Sequence, residues 1–466
     1  MRRNYAYSRR RRKSRGWLWI ILLILIGAGA AYLYFSPVFE RQNPKIELKK
    51  SYFWNPHKPI VVTLKDDRAL GSYQAVLSDG TRQIVVASGR FEEPIQETQV
   101  TIRLPKKSGL DESKGPWRLS VILRDRSLWN FGRGNETRRS TSIVVDTTPP
   151  VVGVVAASPS IVKGGSALVI FKAVDPHLKE VYLQVGKKRF KVLPYKHKGY
   201  WATLMAWPFR MQRFRAKIVA IDTAGNRSEL NVPIEEIGKK YRVSWIRLSD
   251  RFLKGKIAQI SVEDPKASKA KSPLKRFRAV NEGMRIANEK LIHRYSAKPS
   301  VVDFDRWKHL KAFYPLKHAM RVADFGDERH YYYTSKDHPV SLSYHLGYDL
   351  ASTRHAPIYS SNSGRVVFAS RNGIYGNMPV IDHGFGLYTI YGHCSSLLVE
   401  KGDRVKAGEV IAKTGMTGLA LGDHLHFGML VQGIEVLPMD WMKQNWIKSH
   451  ITAVFRRADR IIASQL

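Results

Sequence analysis

Cysteine is nearly absent from this chain of 466 residues, which contains only Cys394. An intramolecular disulfide is therefore excluded, and the folded parts have to be stabilised by packing. Acidic residues are also scarce, because 39 Asp and Glu stand against 77 Lys and Arg, for a formal net charge of +38. The hydrophobic share of 44% is nevertheless ordinary for a globular protein, which excludes disorder of the whole chain.

The excess positive charge is spread along the chain. We find no nucleic-acid-binding motif beside it, so we expect no nucleic-acid partner. An anionic membrane surface or cell-wall polymer fits the charge at least as well. At 466 residues the chain is too long for one ordinary domain, and its length suggests about three.

Charged residues are missing altogether from residues 17–36, which follow a basic segment, 1–16, without any acidic residue. The apolar run spans about 28 Å as a helix, close to the thickness of a bilayer core. We expect a single-pass transmembrane helix in the inner (cytoplasmic) membrane, with the basic segment in the cytoplasm and the rest exported to the periplasmic side. A signal peptide cleaved near Ala28-Gly29-Ala30 is the alternative, but the apolar run continues past these small residues.

Two β-rich stretches follow, 47–146 and 151–237, separated by the strand-breaking Pro149-Pro150. Both show strict apolar alternation with turn signals between the runs, which predicts two β-sandwich modules. Their Asp-led turns and the linker resemble bacterial immunoglobulin-like modules, although two unrelated β domains are the alternative. Neither stretch shows a cluster of ligand-type residues, so we expect both modules to be spacers or docking units, separable from any chemistry.

The remaining chain changes character twice. Residues 240–320 carry a helical stripe of apolar positions between Arg278 and Tyr295, which predicts a helical connector. Residues 321–446 return to glycine turns and short β runs, which predict a compact, mostly β domain. Residues 447–466 are a C-terminal tail. The fold class predicted for the whole chain is therefore mainly β.

The last domain contains three short segments with ligand-type residues, around His345, His393 and His424. His424 and His426 are two apart, so on a strand both project from one face. His345 and Asp349 are four apart, so an extended segment can aim both at one site. Imidazole and carboxylate are good zinc ligands, and a hydrolytic zinc has three protein ligands and a water. Each pair alone is a weak signal, but both in one small domain predict a metal site.

At this point the segments resemble the LytM/lysostaphin family of zinc peptidases, which are peptidoglycan endopeptidases. The likeness covers residues 323–446 and includes the motifs Phe325-Gly326, Ile381-Asp382-His383-Gly384, Tyr391-Gly392-His393, Thr414-Gly415-Met416-Thr417-Gly418 and His424-Leu425-His426-Phe427. The resemblance implies that His345, Asp349 and His426 bind one Zn²⁺ per chain. It implies that His393 and His424 are catalytic without being ligands, and that the substrate is the stem peptide of peptidoglycan.

Four neighbouring residues need separate interpretation. Cys394 stands where the family usually has Leu, and we expect a small buried hydrophobe rather than a thiol ligand or nucleophile. Gly428 stands where the family often has Glu, which changes the surroundings of the site but removes no ligand. We expect His383 to be structural and His355 to lie on the surface.

Two other classes of function compete with the peptidase. Some relatives that resemble this domain have lost ligands and activate other wall hydrolases without being enzymes, but all five expected residues are present here. A purely structural wall-binding protein carried by the β modules is the second alternative. Metal binding by the C-terminal domain separates the peptidase from both.

Overall fold

A computed structural model of the chain describes residues 16–104 and 115–465. The fold is mainly β, as predicted. Most of the basic segment, residues 1–15, lies outside the described residues, as does Leu466. The chain divides into two compact units, Met1–Thr148 with Thr223–Asn226, and Pro149–Asp222 with Arg227–Leu466. The first is called the N-terminal unit here and the second the C-terminal unit.

The N-terminal unit begins with helix α1, Gly16–Phe35, in which no residue is buried. Among the described residues it is the one helix long and apolar enough to cross a membrane. A signal sequence near the N-terminus satisfies the same test of length and composition. Membrane anchoring therefore stays a prediction.

The first β module is a sandwich of two sheets. One has the strand order β1-β3-β6 and the other β2-β8-β7-β4-β5. Alternation along β3 and β7 sends every second side chain into a core that includes Leu64, Trp117 and Leu123. The elements are β1 Lys45–Glu47, β2 Ser51–Trp54, β3 Ile60–Lys65, β4 Leu70–Ser78, β5 Gln83–Arg90, β6 Glu97–Ile102, β7 Trp117–Asp125, the single turn α2 Trp129–Gly132, and β8 Glu136–Val145.

The second β module opens the C-terminal unit. Its two four-stranded sheets have the orders β14-β15-β11-β9 and β13-β12-β16-β17, and β10 pairs in parallel with β18. Its strands are β9 Val151–Ala157, β10 Ser160–Val162, β11 Ser166–Val174, β12 Leu178–Val185, β13 Lys188–Lys191, β14 Leu193–Pro194, β15 Tyr200–Ala206, β16 Ala216–Asp222, β17 Arg227–Asn231 and β18 Glu235–Ile237.

The connector is mostly helical, as predicted, and its helices begin at polar caps. The side chain of Ser249 accepts from the N–H of Phe252, and that of Ser272 accepts from the N–H of Lys275. The connector comprises strand β19 Val243–Arg247, helices α3 Asp250–Phe252, α4 Ala258–Ser261, α5 Pro265–Ser268, α6 Pro273–Arg278, α7 Arg285–Ser296 and α8 Phe304–Trp307, and π-helical stretches Leu253–Ile257 and Ala279–Met284.

The last domain is built on one large sheet of order β20-β23-β31-β27-β26-β25-β29, with β32 paired to β31. Its other strands form two three-stranded sheets, of order β19-β21-β22 and β24-β30-β28, the first of which includes β19 from the connector. Its strands are β20 Met320–Ala323, β21 Glu328–Tyr332, β22 Pro339–Tyr344, β23 Tyr348–Ala351, β24 Pro357–Tyr359, β25 Gly364–Arg371, β26 Asn377–Asp382, β27 Leu387–Gly392, β28 Ser396–Leu397, β29 Arg404–Val405, β30 Val410–Lys413, β31 Leu425–Val431 and β32 Ile434–Val436.

The C-terminal tail of the sequence prediction is helical. It contains α10 Gln444–Ile447, a π-helical stretch Lys448–Thr452 and α11 Ala453–Ala463, and it follows α9 Pro438–Trp441. One face of α11 is apolar, and Val454, Phe455, Ala458 and Ile462 on that face are buried. The tail is thus part of the folded unit.

The second module differs from the separable unit that the sequence led us to expect. Its core is continuous with that of the last domain, so that Phe171 and Leu204 belong to the same buried cluster as Trp441 and Phe455. The indole N–H of Trp441 donates to Ser166 Oγ at 3.0 Å. The apolar surfaces of the second module and the last domain are therefore removed from water only when both are present. Sequence periodicity shows that a face is buried but not which part of the chain covers it.

Candidate metal centre

The strand register places Asp349 and His426 side by side. Within the large sheet β31 runs between β23 and β27, and Asp349 lies directly opposite His426. Directly opposite residues in an antiparallel pair project from the same face of the sheet. On the other neighbour of β31, Gly392 is the partner of His426, and a Cβ at Gly392 would lie 3.2 Å from that of His426. Glycine there leaves room for the imidazole.

Three ligand-type atoms meet at one point. His345 Nε2 lies 2.9 Å from Asp349 Oδ1 and 3.0 Å from His426 Nδ1. His426 Nδ1 lies 3.0 Å from the same carboxylate oxygen. The two histidines are buried, and the side chain of Asp349 is 14% exposed. The structure thus brings together the three residues that the sequence predicted as metal ligands.

Hydrogen bonds around the site fix which nitrogens carry protons. His345 Nδ1 lies 2.7 Å from the carbonyl oxygen of Asp324, which only accepts, so Nδ1 carries a proton and Nε2 is the ring nitrogen that faces Asp349 and His426. Burial lowers the pKa of His426 to about 4, so this ring is neutral near pH 7. Burial acts to raise the pKa of Asp349, but the neighbouring His345 and His426 hold it well below its usual range.

The donor set therefore fits a cation. A carboxylate oxygen and the Nε2 atom of a neutral His345 with its proton on Nδ1 are both acceptors, and at 2.9 Å they require a proton or a metal cation between them. If His426 Nδ1 also presents its lone pair, its proton is on Nε2, which is buried and has no hydrogen-bond partner among the described residues. Two imidazoles and one carboxylate are the ligand types of hydrolytic zinc sites.

The other two predicted histidines lie beside this group. His393 Nδ1 is 2.8 Å from the carbonyl oxygen of Thr417, and His424 Nδ1 is 2.8 Å from that of Gly422. Both rings therefore carry a proton on Nδ1, and Nε2 is the nitrogen left for other partners. The two ring centroids are 4.8 Å apart, and His424 Nε2 is 3.7 Å from Asp349 Oδ1. Burial lowers the pKa of His393 to about 3, which keeps it neutral.

Backbone geometry around His393 explains two of the glycine-rich motifs. His393 has a φ of +66°, unusual for a residue with a side chain, and its N–H donates to the carbonyl oxygen of Tyr375 at 2.7 Å. A Cβ at Gly418 would lie 2.3 Å from Gly376 N, so the Thr417 turn closes only with glycine. Loop and strand together hold the ring of His393 in place.

Two residues near the centre were not predicted from the sequence. Arg329 Nη2 is 4.0 Å from Asp349 Oδ2, while Arg329 Nε donates to Asp327 Oδ2 at 3.1 Å. The ring of Tyr375 lies edge-on to His426 at 5.4 Å between centroids. Both come from segments in which the sequence shows no ligand pattern.

A cavity of about 530 Å³ opens over the five residues. One wall belongs to the last domain and includes Leu419 to His424, whereas the other comes from the connector through Leu248, Phe252, Phe277 and Arg285. The connector therefore forms part of the wall of this cavity, in addition to linking domains.

The predictions for residues outside the centre can be placed as well. His383 is buried, with its ring nitrogens next to Ser363 O and Thr389 Oγ1, and burial lowers its pKa to about 4. Cys394 is fully buried, and burial raises the pKa of its thiol to about 12, which makes it a packing residue. His355 is exposed. A Cβ at Gly428 would lie 2.6 Å from Ile390, so a larger residue does not fit there without movement.

Comparison with known proteins places this geometry in a family. Peptidase family M23 matches residues 343–438, a range that holds all five residues of the centre. A lipoprotein, NlpD of Yersinia enterocolitica, is 37% identical over 97 residues, which are 21% of this chain and 99% of that sequence. The chain belongs to peptidase family M23.

Further relatives of this M23 chain include the peptidoglycan DD-endopeptidase ShyB of Vibrio cholerae, 37% identical over 132 residues. That match covers 28% of this chain and 29% of ShyB, so the M23 chain aligns with less than a third of that relative. A solved zinc-containing peptidase from Vibrio cholerae covers 70% of this chain and 81% of its own, with 16% identity and a TM-score of 0.27.

Proposed function

We propose that this M23 chain is a zinc endopeptidase that hydrolyses peptide cross-links of bacterial peptidoglycan, anchored in the inner membrane with its catalytic domain on the periplasmic side. The observation that carries the proposal is the convergence of His345 Nε2, Asp349 Oδ1 and His426 Nδ1 within 3.0 Å of one another. His393 and His424 lie beside them, and their Nε2 atoms supply proton-transfer groups.

Each residue then has a chemical role. His345, Asp349 and His426 would hold zinc, which when bound acts as a Lewis acid and makes water a nucleophile near neutral pH. His393 and His424 are each anchored through Nδ1 and act through Nε2. The Nε2 atom of one of these two rings accepts the proton that the water loses and returns it to the leaving amine. Once protonated, the same nitrogen donates to the oxyanion that develops on the scissile carbonyl.

Arg329 is a positioning residue in this scheme. It lies between the carboxylates of Asp327 and Asp349, and its guanidinium adds a positive charge 4.0 Å from Asp349 Oδ2, beside the two histidines that hold the pKa of Asp349 low. The carboxyl group of Asp327 also accepts from Ser244 Oγ at 2.7 Å, which fixes the guanidinium from the connector side. The ligand carboxylate is thus held ionised and oriented before any metal binds.

The substrate and the location rest on other observations. The relatives ShyB and ShyA are named peptidoglycan DD-endopeptidases, which supports a cell-wall cross-link as the substrate. Helix α1, with the basic segment before it, supports a membrane anchor with the catalytic domain outside the cytoplasm. Full-length protein in detergent micelles should release cross-linked stem-peptide fragments from purified peptidoglycan, identified by mass spectrometry.

The decisive experiment separates His426 from His424. Removing a ligand leaves two protein ligands, which hold zinc poorly, so His426→Ala should lose both zinc and activity. Removing a proton-transfer group leaves the ligands intact, so His424→Ala should keep about one zinc while its rate falls roughly 10²–10⁴-fold. Zinc is measured by atomic absorption on the folded variants.

The matched control is His338→Ala, an exposed histidine of the same domain, which should change neither zinc content nor rate. A metal-free His424→Ala, or full activity in both variants, would contradict the assignment of roles. A non-enzymatic activator of other wall hydrolases is the alternative function. Zinc-loaded protein that leaves peptidoglycan uncut but stimulates another hydrolase would favour the activator.

A further inference from the structure

A second group of ligand-type residues lies in the N-terminal unit, far along the chain from the M23 residues. One carboxylate oxygen from each of Glu40, Asp66 and Asp67 lies within 4.8 Å of the others. Glu40 follows helix α1 and the short 3₁₀ turn Pro37–Phe39, whereas the two aspartates form the loop between β3 and β4. The first module, predicted over residues 47–146, supplies only the two aspartates, and Glu40 precedes it.

Hydrogen bonds hold the segment after α1 against the module. The carbonyl oxygen of Glu40 accepts from Ser127 Oγ at 2.6 Å and from Asn135 Nδ2 at 2.9 Å. The carboxylate of Asp125 in turn receives the N–H of Ser127 and both the N–H and the side-chain amide of Asn135. The position of the Glu40 backbone is therefore fixed by the loop after β7, and its side chain is directed to the aspartates.

Two carboxylate oxygens in the cluster are buried and lack a partner. Asp66 Oδ1 accepts from the N–H groups of Arg68 and Ala69 at 2.9 and 2.7 Å, which leaves Oδ2. Asp66 Oδ2 and Glu40 Oε2 have no hydrogen-bond partner among the described residues, and Asp66 is only 9% exposed. A buried unpaired carboxylate oxygen costs free energy unless a cation or a proton compensates it.

The charge around the cluster is one-sided. In residues 16–104 and 115–465, no Lys or Arg forms an ion pair with Glu40, Asp66, Asp67 or Asp125. Burial raises the pKa of Glu40 to about 7, against the hydrogen bond from the N–H of Gln42, and the charges of the three aspartates add to the rise. Such a group of like charges is stabilised when a cation enters it.

We propose that Glu40, Asp66 and Asp67 form a calcium site that fastens the segment after helix α1 to the first β module. The donors are all oxygens, which hard cations such as Ca²⁺ prefer and which zinc sites rarely use alone. Oxygens on opposite sides of a Ca²⁺ ion are about 4.8 Å apart, since each bond is about 2.4 Å long. No two of the three oxygens are therefore too far apart for one ion to contact them all.

Calcium fits this cluster better than magnesium does. The protein supplies few ligands, two from a loop and one from a separate segment, and water completes the shell. Mg²⁺ demands a near-ideal octahedron with bonds of about 2.0–2.1 Å, whereas Ca²⁺ tolerates irregular shells. A bound ion would join residue 40 to residues 66 and 67 and so stiffen the chain between α1 and the module.

The experiment is a calcium titration of full-length, zinc-loaded protein in detergent. Calorimetry measures the binding, and thermal unfolding measures the stability. We expect one Ca²⁺ per chain with a Kd on the order of 10⁻⁴–10⁻³ M. At about 10 mM Ca²⁺ the unfolding midpoint of the N-terminal unit should rise by on the order of 5–10 °C. Trypsin should cut the chain between residues 36 and 50 more slowly with calcium than without it.

Three variants test the residues. Glu40→Gln and Asp66→Asn should each weaken calcium binding at least about tenfold, because each removes one of three charged ligands. Asp67→Asn should weaken it too, and this exposed residue can be changed without disturbing the fold. Glu93→Gln, an exposed acid of the same module, is the matched control and should bind calcium as the natural chain does.

Several results would overturn the proposal. These are no heat and no stabilisation up to about 20 mM Ca²⁺, equal affinity for Mg²⁺, or unchanged calcium binding in Asp67→Asn and Asp66→Asn. Zinc content and peptidoglycan cleavage are measured on the same samples. Because the two sites share no residue, failure of the calcium site leaves the peptidase proposal untouched, and the reverse also holds.

Discussion

The two β modules are similar in construction but differ in what covers them. The first is a two-sheet sandwich whose buried cluster contains only its own residues, such as Leu64, Trp117 and Leu123. The second is also built on two sheets, but its buried cluster continues into the M23 domain through Phe171, Leu204 and Trp441. The first module packs on its own core, whereas the second shares a core with the M23 domain.

Specific contacts cause this difference. The turn between β31 and β32 inserts Gln432 into the second module, where its amide nitrogen donates to Lys191 O at 2.9 Å and its oxygen accepts from the Lys191 N–H. The ring of Tyr195 packs on Phe304 and Phe455, at centroid distances of 4.9 and 5.9 Å. Similar sequence patterns therefore specify similar modules without specifying whether those modules fold alone.

The largest expected effect comes from deleting each module in turn. Removing residues 151–237 exposes the apolar surface of Trp441, Phe455 and Phe325, so we expect an unfolded M23 domain without bound zinc or activity. Removing residues 45–147 should leave zinc binding and the cleavage of soluble wall fragments largely intact. Circular dichroism and zinc content check both; an active chain without residues 151–237 would refute the shared core.

Truncating one core side chain in each module sharpens the comparison. Phe171→Ala and Trp117→Ala both remove a fully buried ring, and each should cost about 3–5 kcal/mol. We expect Phe171→Ala to lower the thermal midpoint of the zinc-binding unit, and Trp117→Ala to lower only that of the N-terminal unit. Calorimetry with and without a zinc chelator assigns the transitions, and a shift of the same transition in both variants would contradict the two-unit description.

The next largest loss of stability is expected from removing the side chain of Gln432. Gln432→Ala removes the acceptor of the Lys191 N–H and one of two donors to the Lys191 carbonyl oxygen, which keeps Thr203 Oγ1 as its other donor; we expect the C-terminal unit to be destabilised by about 1–3 kcal/mol. Gln74→Ala, at an exposed position of β4, is the matched control and should change stability by less than about 0.5 kcal/mol. Urea unfolding monitored by tryptophan fluorescence measures both variants.

Much of the fold was predictable because it depends on local periodicity. Alternation identified the strands of both modules, and the stripe around Val280 and Met284 identified the connector helices. The packing of the second module was not predictable, because alternation shows that a face is buried but not what covers it. The helical tail was missed as well, although Val454, Phe455, Ala458 and Ile462 have helical spacing.

The candidate site shows the same limit. His345, Asp349, His393, His424 and His426 were chosen from short motifs, and the structure brings their side chains together around one point. Arg329 and the connector wall were missed, because contacts between distant segments leave no spacing to read. The acidic cluster was missed for the same reason, since Glu40 meets Asp66 and Asp67 only after the chain folds back. The ligand and catalytic roles stay predictions until the variants are measured.

The smallest expected effect concerns the contact between the C-terminal helix and the second module. Tyr195 Oη donates to Asp459 Oδ1 at 2.6 Å, but this carboxylate also pairs with Lys196 at 3.2 Å and with Lys308. Asp459 therefore keeps its charge compensated in Tyr195→Phe, which retains the ring packing on Phe455 and removes one hydrogen bond. We expect a loss of about 1 kcal/mol in the C-terminal unit alone. Tyr52→Phe in the first module, the control, should leave that transition unchanged, whereas an equal shift from both variants would show that the two modules are not energetically distinct.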